Sequence, residues 1–107
     1  MGAAAGSNPG DGARAPRIAR VTASTLYREV HGEGVLLQLD SGEYFGLDEI
    51  ANRFWQLIVE TGDLSEVEAI MLAEFDVDPS VLSNDLQRLI QELVAMRLIE
   101  VDEVGRT

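Results

Sequence analysis

The stretch VLLQLDSGEYFGLDEIANRFW, residues Val35–Trp55, decides the fold. Val35, Leu37 and Leu39 alternate with Gln38 and Asp40, the period of a strand with one apolar face. Asp40-Ser41-Gly42 supplies tight-turn chemistry, with Gly42 free to take the positive φ of a two-residue hairpin. Glu43–Leu47 then returns, and Asp48 stands where its carboxylate can cap a helix beginning near Glu49. A strand held between a turn and a helix has little pairing on one side, which makes it a docking edge. Tyr44 and Phe45 are neighbours in that strand and point to opposite faces. One of them belongs to the core; the other is covered by a helix or stands ready for a partner.

Upstream, Ser24–Val30 alternates with Leu26, Arg28 and Val30 on one face and Tyr27 and Glu29 on the other, and predicts a first strand. His31-Gly32-Glu33-Gly34 turns it into the second. Met1 to about Arg20 is rich in Ala, Gly and Pro and has almost nothing to bury, so residues 1–20 read as a disordered tail.

Downstream come three helices. The first, about Glu49–Glu60, aligns Ile50, Phe54, Leu57 and Ile58, with Trp55 off the main stripe. Gly62 ends it, and Asp63 with Glu66 forms a capping box for the second, whose apolar face is Leu64, Val67, Ile70, Met71 and Phe75. Asp78-Pro79 opens the third, about Pro79–Met96, with Leu82, Leu86, Leu89, Ile90, Leu93 and Met96 inward. Leu98–Val101 reads as a short closing strand or an extended packing segment, and 102–107 as a flexible C-terminus. The expected architecture is α+β: three N-terminal antiparallel strands followed by three helices, winged helix-turn-helix-like, in one domain over 21–101.

Composition excludes several functions. The 107 residues hold no Cys, so disulfides and thiolate metal sites are out. All eight basic residues are Arg against 19 acidic ones, and the net charge of −11 repels phosphate backbones. No apolar run reaches a membrane span and the N-terminus has no secretory pattern, which points to the cytoplasm. His31, the single histidine, lies in a Gly-rich turn without a partner set. Asp76/Asp78 and Glu66/Glu68 read as caps and solvated faces, and no Gly-rich phosphate loop is present. The expectation is a non-enzyme without metal or cofactor.

The run GEYFGLDEIANRFWQLI, then AEFDVDP, then DLQRLIQELVAMRLIEV, resembles the PqqD-like family of small leader-peptide-binding domains, also called RiPP recognition elements. The resemblance spans about Val35–Val101. It implies a winged-helix-like, non-catalytic peptide chaperone. Such a protein binds the leader of a ribosomally made precursor peptide and presents it to a modifying enzyme, such as a radical-SAM enzyme, a protease or a cyclase. The leader adds as a strand to the third strand and lies against the third helix. Carried over by position, the binding strand is Glu43, Tyr44, Phe45, Gly46 and Leu47, and the facing wall is Asp85, Arg88, Leu89 and Glu92. Asp85 and Glu92 would engage basic or hydroxyl side chains, with Leu89 as an apolar floor. A Pro at Phe45 would remove an edge N–H and weaken binding. Arg97 departs from the family pattern, which has Gly before the closing Leu-Ile. The residues do not choose among pyrroloquinoline quinone, a lasso peptide or another product.

Two other readings use the same residues. A structural interaction subunit or homodimer would pair through the same strand edge. A DNA-binding winged helix would need a basic recognition helix, and Pro79–Met96 offers Arg88 alone against Asp85 and Glu92.

Overall fold

In a computed structural model that describes residues 17–103, the chain order is β1 (Arg17–Val21), β2 (Thr25–Val30), β3 (Glu33–Gln38), β4 (Tyr44–Leu47), α1 (Glu49–Glu60), α2 (Leu64–Glu74), α3 (Pro79–Ala95) and β5 (Ile99–Glu103). Strands β2, β3 and β4 form an antiparallel sheet in that order, and β1 pairs antiparallel with β5. The three central strands and three helices therefore stand where the apolar periodicity put them. The helix-start residues Asp48, Asp63 and Asp78 all cap as expected, accepting from Ala51, from Ser65 and Glu66, and from Ser80. The box at Asp63 is only half made, because the Glu66 carboxylate accepts from the Thr61 hydroxyl instead of the Asp63 N–H.

The strand β1 corrects the expected tail boundary. Structure starts by Arg17, and Asp102 and Glu103 belong to β5 rather than to a flexible end. Ala19 is buried, and Arg20 bridges Glu100 and Asp102 across the strand pair. Residues 1–16 and 104–107, the rest of the two expected ends, lie outside the described residues.

The core lies between the sheet and the helices. It is built from Leu36 and Leu47, from Phe54, Trp55, Leu57 and Ile58 of α1, from Val67 and Met71 of α2, and from Leu82, Leu86, Ile90 and Leu93 of α3. Leu98 and Ile99 close it. Trp55, off the main stripe, is core all the same at 4% exposure.

The inward face of β3 is the opposite of the one its alternation suggested. Gly34, Leu36 and Gln38 point in, Val35 and Leu37 point out half-covered, and Leu39 is exposed. Both faces are apolar enough to pass for the core. Gln38 can be buried because its amide is fully used. Nε2 donates to Ser24 Oγ (3.2 Å) and to the Arg97 C=O (2.8 Å), and Oε1 accepts from the Asp40 N–H (2.7 Å). That last bond, with Gly42 N–H donating to the Gln38 C=O, curls Leu39–Gly42 into a wider turn than the two-residue one expected at Ser41-Gly42. The two-residue hairpin is instead at His31-Gly32, both at positive φ.

Arg97 does not change how α3 ends. It takes a left-handed φ of 61°, while Leu98 N–H donates to the Leu93 C=O and Arg97 N–H to the Val94 C=O, a Schellman close. A residue with a Cβ is strained there. Arg97→Gly is expected to stabilise the protein by about 1 kcal/mol, read as a rise in thermal midpoint of about 4–8 °C.

Candidate functional site

Among the described residues the strand β4 has one partner, β3, and nothing pairs with its other edge. Which backbone groups face that edge follows from the ladder, because bonded and non-bonded residue pairs alternate along an antiparallel pair. Gln38 N–H donates to the Glu43 C=O at 2.9 Å, which makes the 38/43 pair a bonded one. Stepping by two along the register, Leu36/Phe45 and Gly34/Leu47 are bonded as well, whereas Leu37/Tyr44 and Val35/Gly46 are not. The other side of β3 agrees: Leu39 N–H donates to the Ser24 C=O, which turns Leu37 and Val35 towards β2 and leaves Leu36 and Gly34 for β4. The N–H and C=O groups of Tyr44 and Gly46 therefore point to the open side.

This corrects the expectation for Phe45. Its N–H is committed to β3, so a Pro there breaks the hairpin itself instead of trimming the docking edge. Leu47 likewise turns its backbone to β3, and Glu43 turns its C=O there while its N–H donates to Ser41 Oγ.

Side chains follow the same alternation. Tyr44 points outward at 71% exposure, while Phe45 is half-buried against the core and Leu47 is buried. The two aromatics take opposite faces, as the spacing required, and the outward one, Tyr44, is exposed rather than covered by a helix.

Beside the free edge, a groove of about 260 Å³ separates β4 from α3. Phe45 and Gly46 line it from the strand, and Asp85, Arg88, Leu89 and Glu92 from the helix. Six of the nine residues singled out from the sequence thus meet at one groove. Glu43, Tyr44 and Leu47 do not line it. Leu89 is half-buried and forms apolar floor, and Arg88 pairs with Asp85 at 2.8 Å. Asp48, Ile50, Ala51 and Leu86 also line the groove and went unassigned to it. Asp48 reads in sequence only as a cap, and Ile50 and Leu86 only as members of apolar stripes.

The wall is held by its own start signal. The hydroxyl of Ser80, then its N–H, then the N–H of Val81 hold the Asp78 carboxyl below its usual range. A lowered carboxyl contributes stability above the usual carboxylate range and loses it as pH falls through the lowered value. On the far side of α1, the Arg53 guanidinium does the same for Glu74 across a 2.6 Å contact. Among the described residues no helix is long and apolar enough to cross a membrane. Nor do three or more His, Cys, Asp or Glu gather among them in a way that could hold a metal ion.

The fold has solved counterparts. TbiB1 in complex with the TbiA(beta) leader peptide is 30% identical, with a TM-score of 0.70, over 82% of this chain and 98% of that one. A lasso peptide synthetase B1 complexed with the leader peptide shares the fold at TM-score 0.69 and 21% identity, over 77% of this chain and 96% of that one. No curated protein matches. Coenzyme PQQ synthesis protein D (PqqD) is the family that matches, over residues 33–99. That span runs from the first residue of β3 to the first of β5 and takes in the whole groove, and the chain belongs to the PqqD family.

Proposed function

We propose that this chain is a non-catalytic leader-peptide-binding protein of the cytoplasm. It takes the leader of a ribosomally made precursor peptide as an added strand on β4 and presents it to a modifying enzyme, such as a radical-SAM enzyme, a protease or a cyclase. The observation that carries this is the free edge: two residues, Tyr44 and Gly46, offer backbone donors and acceptors beside a groove sized for side chains. Backbone pairing supplies affinity that does not depend on sequence, and the groove supplies selection. The relative that is 30% identical was solved with a leader peptide, which supports the ligand class.

The groove also carries a charge preference. Asp48, Asp85 and Glu92 face Arg88, and Arg88 is already paired with Asp85, so a basic side chain of the leader is favoured. Glu92→Lys is expected to weaken binding of a Lys-bearing leader by roughly ten-fold, with a shallower salt dependence than wild type. The test is a fluorescence anisotropy titration with the leader and core segments of a lasso precursor, starting with the TbiA(beta) leader peptide of the 30% identical relative, with size-exclusion in parallel. Binding by the leader and not by the core segment supports the reading. A homodimer that the leader cannot displace would assign the edge to self-pairing instead.

A further inference from the structure

Among the five described glycines, four have a reason inside the chain. Gly32, Gly42 and Gly62 hold positive φ, and a Cβ on Gly34 would collide with Asn52 Oδ1. Gly46 has neither reason. Its φ is not in the left-handed range, and a Cβ built on it meets nothing within 4 Å. A glycine inside a strand weakens it, and one with no internal cause marks a place where another chain comes close.

The surroundings say what that other chain brings. In an added strand the residue opposite Gly46 puts its side chain on the outward face, in either strand direction, because paired residues share a face. The next residue across the sheet is Val35, half-covered and in register with Gly46. Along the same face stands Tyr44, with Leu37 opposite it. A Cβ built on Gly46 meets nothing within 4 Å, so the space over the glycine on this face is open. A side chain leaning over Gly46 spans two strand spacings, about 10 Å between Cα atoms, before it meets Val35. Only a long apolar or aromatic residue makes that reach, in the way aromatics cover glycines across a strand pair.

We propose that Gly46 is a specificity-determining position: its missing side chain forms a notch, walled by Val35 and Tyr44, for a large apolar or aromatic residue of the bound strand. The proposal rests on strand addition at β4. It differs from the groove selection in that it acts on the opposite, outward face.

The test selects a display library of randomised linear peptides on the wild-type protein and on Gly46→Ala and Gly46→Val in parallel. Both variants have room in the free protein and should melt at or above the wild-type temperature. Wild type should enrich Leu, Met, Phe, Tyr or Trp at one fixed position. Gly46→Val should keep the rest of the motif and shift that position to Gly, Ala or Ser. A wild-type-selected peptide should lose roughly ten-fold in affinity on Gly46→Val and less on Gly46→Ala, and its small-residue version should recover binding to Gly46→Val. Peptides that protect the Tyr44 and Gly46 amides but keep the same large residue on all three proteins would overturn the notch and leave strand addition standing. Failure to select any peptide that protects those amides would overturn both.

Discussion

Gly46→Pro is expected to leave the protein folded and to remove most of its peptide binding, whereas Phe45→Pro one residue earlier should unfold the hairpin. The two prolines differ only in where the lost N–H points. At Gly46 it points to the open edge, a position where sheets tolerate proline. Its loss takes one backbone bond from the added strand, and the ring enters the space the strand would use. One net hydrogen bond is worth about 1 kcal/mol, and with the steric conflict the affinity loss should exceed roughly ten-fold. At Phe45 the N–H serves β3, and leaving the Leu36 C=O without its donor costs about 1–3 kcal/mol, besides the half-buried ring. Circular dichroism melts beside a peptide titration separate the two outcomes. A folded Phe45→Pro that loses binding beside an unfolded Gly46→Pro would mean that the alternation along β4 has been assigned the wrong way.

Gln38→Met should destabilise the protein markedly although it removes no apolar contact. The volume is kept, yet the Asp40 N–H loses its acceptor, and the Arg97 C=O keeps only the Thr22 hydroxyl as a donor. Orphaned groups of this kind cost about 1–3 kcal/mol, which for a domain of this size lowers the thermal midpoint by roughly 10 °C. The same change should loosen the Leu39–Gly42 turn that starts β4, so peptide affinity should fall as well. An unchanged melting temperature would show that the amide network adds nothing beyond filling space.

Gln38 also shows where sequence reasoning stops. Helix positions were legible because each apolar stripe had a cap before it, and Phe54, Leu57, Val67, Met71, Leu86 and Leu93 all went inward. The parity of β3 was not legible, because Val35, Leu37 and Leu39 outweigh Leu36 on any hydrophobic count. What decides it is a network joining Gln38 to Ser24 and Arg97, far apart in the chain. The strand β1 was hidden for a related reason: its partner β5 stands some 80 residues away, as in Arg20 with Glu100, and nothing local marks Arg17–Val21 as a strand.

The site was legible in outline. Adjacent aromatics force opposite faces whatever the register, but which of Tyr44 and Phe45 faces out, and that it is left exposed, is set by the packing of β4 on the core. Which amides face outward depends on the ladder with β3, and the ladder is anchored by the Gln38–Glu43 bond after a turn longer than the residues suggested. Either turn length makes 43, 45 and 47 the residues bonded to β3, so nominating Phe45 carries the whole strand over without tracing the ladder, which leaves Tyr44 and Gly46 facing the edge.

Amide hydrogen exchange followed residue by residue, with and without a bound leader peptide, tests strand addition most directly. In the free protein Phe45 and Leu47 should already be protected by β3, and Tyr44 and Gly46 should exchange fast. On binding, Tyr44 and Gly46 should become protected while Phe45 and Leu47 change little. A peptide that binds and leaves the Tyr44 and Gly46 amides exchanging at their free rates would contradict strand addition at β4.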